Sequence, residues 1–115
     1  MGGIPPEIIE GQRRESDKKA RAAIARFEQA AKRAGISNET RTINASLAGA
    51  ADQIGRIGRR FDLIIVGQPD RQKSSADEVV DEGVLFESGR PVIFVPFIQK
   101  GGAKLDRVMI CWDGG

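Results

Sequence analysis

The sequence predicts an α/β fold in which helices cover both faces of a parallel β-sheet. Two short and nearly continuous apolar runs, at residues 61–67 and 91–96, are typical of strands buried on both faces. Segments with helical periodicity alternate with these runs along the chain. Because strand, helix and strand in succession usually form a right-handed crossover between parallel strands, this alternation indicates a parallel sheet.

The first predicted helix runs from Pro5 and Pro6 to Gly35. Proline and the acidic Glu7 and Glu10 suit the first turn of a helix, and glycine suits the position just after its end. Small or apolar residues recur in steps of three, four and seven at Ile9, Ser16, Ala20, Ala23, Ile24, Phe27, Ala30, Ala31 and Ala34. The opposite face is strongly charged. We interpret that face as solvated, with a binding surface as the alternative.

The segment 40–45 is rich in threonine and has an alternating pattern of side chains, and it predicts a short strand that would suit a sheet edge. Ser46 is positioned to cap a second helix that ends near Gly58. The apolar stripe of this helix comprises Leu47, Ala50, Ala51, Ile54 and Ile57. A basic cluster lies near its end and consists of Arg56, Arg59 and Arg60. We interpret the cluster as neutralising the negative end of the helix dipole, with anion binding as the alternative.

The second half of the chain contains three predicted strands. After the run 61–67, the capping box at 75–78 predicts a third helix that ends at Gly89. Its buried side is predicted to consist of Val79, Val80, Gly83, Val84 and Phe86. The second run, 91–96, has prolines at its ends, and the third strand is predicted at 107–112 after a glycine-rich linker.

Composition excludes several classes of function. A net charge of +2 is too small to indicate nucleic acid binding, and no apolar run approaches the ~20 residues that span a bilayer. The single cysteine, Cys111, excludes an internal disulfide and predicts a cytoplasmic protein. We interpret Cys111 as a core residue, with a reactive thiol as the alternative. The chain has no histidine and no tyrosine, so we predict no catalytic residues and no metal site.

The order of the elements suggests that both ends are cut. The longest helix comes before any strand, and the last strand ends at 113–115 without a helix behind it. We therefore expect sequence to be missing on both sides, the alternative being a small natural domain with unusual ends.

These elements resemble the universal stress protein family. The run 61–67 is similar to the family's fourth strand, and 91–96 resembles the fifth, where a Pro-Val pair leads an apolar run. Residues 107–114 look like the first strand of another such domain. The resemblance implies an incomplete fold of the flavodoxin/Rossmann-like type (adenine nucleotide alpha hydrolase-like).

The resemblance also implies a division of the chain. Residues 1–98 form a partial universal-stress-protein-like domain, and 99–105 form a linker. Residues 106–115 supply the first strand of a following domain, or a strand that fills a vacant sheet position.

The resemblance further implies a nucleotide site at the carboxyl ends of the strands, with Gly67, Gln68, Asp70, Asp113 and Gly114 as candidate cofactor-binding residues. In ATP-binding members, glycines allow backbone N–H groups to approach the phosphates. Gly67 matches the first of these glycines. Asp70 replaces the second with a carboxylate that repels phosphate, and no Gly-Ser pair follows where the family has one. ATP or another adenine nucleotide is thus a possible cofactor, and none is certain.

Three functions follow from these observations. The resemblance implies a non-catalytic stress-response module that forms a homodimer. The alternatives are an ATP-binding member with weak hydrolysis at most, and an unrelated flavodoxin-like enzyme. Three of the site residues also have a simpler interpretation: Gly67 as a tight turn, Asp70 as a loop start and Asp113 as a solvated turn residue.

The place of the last strand stays open at this point. Residues 107–112 are predicted to fill a vacancy beside 61–66, within the chain or by strand exchange with a partner chain. The roughly ten residues of 97–106 reach about 33 Å when extended, so the linker permits both routes. Antiparallel addition beside 92–95 is the alternative. Trp112 would then lie in the core or on an apolar surface.

Overall fold

The computed structural model describes residues 3–68, 70, 72 and 75–114, and only the backbone of 75–77. Their helices and strands are α1 (Pro6–Ala34), α2 (Leu47–Gly58), β1 (Ile64–Gly67), α3 (Ser75–Glu87) and β2 (Val92–Val95). The chain divides into two compact units, Met1–Ile43 and Asn44–Gly115. The mixed α/β composition agrees with the predicted fold class, whereas helices on both sheet faces and a flavodoxin-like topology stay predictions.

The first unit is built on α1, which begins and ends where the sequence predicts. Pro5 is extended at φ −56° and ψ 140°, and Pro6 opens the helix. Gly35 ends it in the left-handed conformation at φ 66°, and the next amide, of Ile36, donates to the carbonyl of Ala31 at 2.9 Å. This is a C-terminal cap that favours glycine.

The predicted strand at 40–45 is wrong, since the described chain has no strand there. The hydroxyl of Thr40 donates to the Glu28 carboxylate on α1 at 3.2 Å. A threonine-rich segment forms a strand only when a neighbouring strand completes its backbone hydrogen bonds. The side-chain hydrogen bond to α1 holds the segment instead.

The second unit contains a β1–α3–β2 motif in which the two strands are parallel. Ile64 is paired with Val92 and Gly67 with Val95. The amide of Ile64 donates to the carbonyl of Pro91 at 3.0 Å, which extends the ladder by one residue. The predicted runs 61–67 and 91–96 are therefore confirmed as neighbouring parallel strands, although each strand is shorter than its apolar run.

Helices α2 and α3 pack closely through small residues. Ser46 caps α2 as predicted, its hydroxyl accepting the amide of Gly49 at 3.2 Å. On α2 the buried residues are Ala51, Gly55 and Gly58. On α3 the side chain of Val84 is 1% exposed, the most buried among the described residues. The small residues of α2 let the two helices approach each other closely.

Several predictions of burial are wrong. Val79 and Phe86, which were expected on the buried side of α3, are 40% and 76% exposed. The strands were expected to be buried on both faces, but the side chain of Ile65 in β1 is 66% exposed and that of Ile93 in β2 is 44% exposed. Cys111 is exposed rather than part of a core. These errors have the same physical origin, because an apolar residue is buried only where another element of the chain covers it.

The strand predicted at 107–112 is also absent from the described chain. Its residues form no ladder with a strand of the described chain, and Trp112 is 78% exposed. Trp112 therefore lies on an apolar surface of the chain. Among the described helices, none is both long enough and apolar enough to cross a membrane.

Candidate functional site

The carboxyl end of β1 carries the first three predicted site residues. Gly67 is the last residue of the strand, and the amide of Gln68 donates to the carbonyl of Val95 at 2.7 Å. This hydrogen bond ties the start of the loop to the end of β2. A Cβ added at Gly67 would meet nothing within 4 Å, and the backbone of Gly67 does not have a positive φ. Neither packing nor backbone conformation requires glycine at 67, so the residue leaves open space at this end of the sheet.

Asp70 shapes the loop that follows. Its carboxylate accepts the backbone N–H of Gln72 at 3.1 Å, a local turn that aspartate side chains commonly form. The predicted loop residues Pro69, Arg71, Lys73 and Ser74 lie outside the described part of the chain. A carboxylate at this position places a negative charge where the resemblance would put a phosphate-binding glycine.

Asp113 and Gly114 lie in the extended segment after the sheet. Because 107–112 do not join the sheet, Asp113 is not at the carboxyl end of a strand in this chain. Gly114 has φ 82°, a conformation that favours glycine. The structure therefore brings Gly67, Gln68 and Asp70 together by their closeness in sequence, and it leaves their grouping with Asp113 as a prediction.

No group of three or more histidine, cysteine, aspartate or glutamate side chains able to hold a metal ion occurs among the residues that the structure describes.

A groove between α2 and α3 was not predicted from the sequence. Its volume is about 390 Å³, and its lining residues are Ala48, Ala51, Asp52, Val79, Glu82, Gly83, Phe86 and Glu87. The floor is apolar and three carboxylates lie around it. The sequence signal was the close spacing of small residues on α2 together with Gly83 on α3, which keeps the two backbones near each other.

The carboxyl ends of α2 and α3 cap each other through two arginines. Arg59 Nε donates to the carbonyl of Glu87, the last residue of α3, at 2.9 Å. Arg90 Nη2 donates to the carbonyl of Arg59, the C-cap of α2, at 2.8 Å, and Arg90 Nε donates to the same oxygen at 3.1 Å. Each guanidinium thus meets the negative end of a helix dipole.

The basic cluster near the end of α2 is therefore structural at two of its three positions. Arg56 forms an ion pair with Asp52 one turn earlier at 3.0 Å. Arg59 caps α3 rather than its own helix. The prediction that the cluster neutralises the dipole of its own helix is therefore not met by Arg59, whose guanidinium serves the end of α3.

We expect Arg90→Ala to lower the free energy of unfolding by about 1–2 kcal/mol, because two charged hydrogen bonds to an exposed helix end are lost. Urea denaturation followed by circular dichroism measures the change. Arg60→Ala is the matched control, since the guanidinium of Arg60 has no hydrogen bond or ion pair among the described residues, and it should shift stability by less than about 0.5 kcal/mol. Equal effects of the two variants would contradict the capping role.

Compared with known proteins, the chain matches no family model, no curated protein and no solved structure.

Proposed function

We propose that this chain is a cytoplasmic module of the universal stress protein type, which acts in a stress response without catalysis. Support comes from the parallel β1–α3–β2 motif, which follows the order that the resemblance implies. The proposal that this module does not bind a nucleotide rests on the carboxylate of Asp70. Its carboxylate forms a local turn with the amide of Gln72, next to the open space at Gly67. A fixed carboxylate at this position repels a phosphate chain.

A second candidate function, binding of an adenine nucleotide, is favoured by one observation. The open space at Gly67 is of the kind that permits a ligand to approach the backbone closely. The two candidates therefore differ in what the loop after β1 does. Asp70 opposes phosphate binding, and Gly67 would permit it.

Titration with a fluorescent ATP analogue and Mg²⁺ separates the two. For the unmodified chain we expect no saturation below about 1 mM, which corresponds to a binding free energy weaker than about −4 kcal/mol. Asp70→Asn removes the charge and keeps an oxygen that can accept the amide of Gln72. This variant should bind the analogue several-fold more tightly than the unmodified chain.

The matched control is Asp17→Asn, which makes the same change in net charge on α1, in the other compact unit. It should leave the titration unchanged. Saturable binding by the unmodified chain with a Kd below about 100 μM, weakened by Gly67→Val, would instead establish the nucleotide-binding function.

The stress-response part of the proposal has a separate test. Quantitative mass spectrometry of the source cells should show a higher abundance of the chain during starvation, oxidative stress or growth arrest than during exponential growth. Constant abundance in all of these conditions would overturn this part and leave the binding result unaffected.

A further inference from the structure

β1 has an open edge. In the described sheet it pairs with β2 on one side and with no other strand. The amides of Ile64 and Gln68 donate to β2. Because backbone groups alternate in direction along a strand, those of Ile65 and Gly67 face the opposite edge. The side chain of Ile65 is 66% exposed, and an unpaired apolar edge of this kind is a template for a further strand.

The segment 107–112 has the composition of the missing strand. It is an apolar run rich in residues that favour strands. Its side chains are exposed to solvent: Val108 is 76% exposed, Met109 and Ile110 are each 84% exposed, and Trp112 is 78% exposed. Such a contiguous apolar segment is rarely left in water, and it marks an interaction site. The same unit of the chain therefore contains an uncovered sheet edge and an uncovered strand-forming segment.

The chain's own connection is poorly suited to bring the two together. Parallel addition to β1 requires a crossover from the carboxyl end of β2 to the amino end of the new strand, and such connections usually take about a dozen residues or more, commonly with a helix. Here the connection is 97–106, which has no helix. It begins with a turn in which the amide of Gln99 donates to the carbonyl of Pro96 at 2.9 Å, and this turn shortens its reach.

The outer edge of β2 is the less favourable alternative. Pro91 and Pro96 flank the strand on both sides. Proline has no amide hydrogen and limits how far a new strand can pair along such an edge. The described residues of β1 and the three residues before it contain no proline.

We propose that 107–112 of a second copy of this chain add to the open edge of β1 as a parallel strand, and that the exchange is reciprocal. A reciprocal exchange gives a closed two-fold dimer in which both uncovered segments are used. This inference stands on the sheet edge and the exposed segment alone, and it is independent of the proposed stress function.

Charge and size select one register. When Arg107 of the second copy lies beside Asp62, the apolar residues 108–111 lie beside the apolar residues 63–66. Opposite charges on neighbouring strands stabilise a pair. In the same register Trp112 lies beside Gly67, where the missing side chain leaves open space. A shift by one residue would place Arg107 beside Phe61 or Leu63 and would move every side chain to the other face.

The apolar area is sufficient for a stable dimer. Burying an aliphatic side chain removes roughly 60–120 Å² of apolar surface, and burying an aromatic one removes about 150–250 Å². The exposed side chains of 108–112 thus offer roughly 300–600 Å² in each copy. Two segments and the two edges that they cover remove up to about 1,200–2,400 Å², which is in the range of specific interfaces, roughly 1,200–2,000 Å².

The dimer also completes the predicted site. In this register Asp113 of the second copy lies beside Gln68, so the predicted site residues come together across the interface. The site residues are then shared between two chains.

The first experiment measures mass in solution by size-exclusion chromatography with light scattering. The chain has a mass of 12.5 kDa, and we expect twice that mass at micromolar concentration. Ile110→Asp places a charge in the added strand and should weaken dimerisation on the order of 100-fold. Ala103→Asp, in the exposed connection, adds the same charge outside the interface and should leave the dimer intact.

The second experiment tests which chain supplies the strand. In the proposed register Cys111 lies beside Val66 of the other copy, within the Cα separation that a disulfide bridges. A chain carrying Val66→Cys and Cys111→Ser, mixed with the unmodified chain under mild oxidation, should form a covalent heterodimer on a non-reducing gel. Ile93→Cys with Cys111→Ser is the control, because β2 is not the neighbouring strand.

Three results would overturn the proposal. One is a chain that stays monomeric at all accessible concentrations. This result counts against the proposal both when the amides of 107–112 are protected from hydrogen exchange within their own chain and when they exchange freely. Another is a dimer that Ile110→Asp leaves unchanged, which would place the interface elsewhere. The third concerns the variant Val66→Cys in a chain that keeps Cys111. A disulfide between these two positions that forms only within one chain would place the strand in its own sheet.

Discussion

Replacing Gly83 by alanine is expected to lower the free energy of unfolding of the second unit by up to about 2 kcal/mol. A Cβ at this position would lie 2.7 Å from the Cβ of Ala51 and 3.1 Å from its Cα and carbonyl oxygen. The backbone of α2 can avoid this contact only by moving away from α3, and overpacking of this kind typically costs about 1–3 kcal/mol. The higher helix propensity of alanine, about 1 kcal/mol, offsets part of that cost.

The control for this prediction is Gly11→Ala. Gly11 is also inside a helix, α1, but a Cβ there would meet nothing within 4 Å. Only the propensity gain remains, so this variant should be more stable by about 0.5–1 kcal/mol. Urea denaturation measures the change in the free energy of unfolding, which should be a decrease for Gly83→Ala and an increase for Gly11→Ala. Combining Gly83→Ala with Ala51→Gly should restore part of the loss, and stabilisation by Gly83→Ala alone would show that α2 and α3 do not pack as described.

Replacing Val84 by aspartate is expected to have the larger effect and to unfold the second unit. The side chain of Val84 is 1% exposed, so an aspartate at this position would be buried. An unpaired carboxylate in that position costs more than about 4 kcal/mol, which is close to the total stability of many small domains at roughly 5–15 kcal/mol. Circular dichroism and limited proteolysis should show loss of the α2 and α3 helices.

Val79→Asp is the matched control on the same helix. The side chain of Val79 is 40% exposed at the groove, so the new carboxylate stays in contact with water. We expect a change in the free energy of unfolding of about 1 kcal/mol or less. If Val84→Asp were as mild as Val79→Asp, the burial of Val84 would not contribute to the stability of the second unit.

Local signals in the sequence were enough to locate the helices. Pro6 and Gly35 mark the ends of α1, and Ser46 marks the start of α2, because caps satisfy backbone groups within one or two turns of the helix end. The two apolar runs were recognised as strands of a parallel sheet for a similar reason, since the alternation of strands and helices leaves few other arrangements. Their place beside each other in the sheet came from the structure.

The candidate site was predictable only in part. Gly67, Gln68 and Asp70 follow β1 directly, so the end of the strand determines their place. The place of Asp113 depends on where 107–112 dock, and no local signal contains that information. The mutual capping by Arg59 and Arg90 was likewise not predictable, because it joins residues 31 positions apart.

By itself, the sequence determined the elements whose hydrogen bonds close within a few residues: three helices, with caps seen on α1 and α2, and two apolar runs able to form strands. Tertiary structure decided which apolar residues are covered, with Val84 buried and Phe86 exposed on the same helix. It also decided which strand-forming segments become strands, since 40–45 and 107–112 do not. The physical reason is that a helix satisfies its own backbone, whereas a strand requires a neighbour, and an apolar side chain is buried only when another element packs against it.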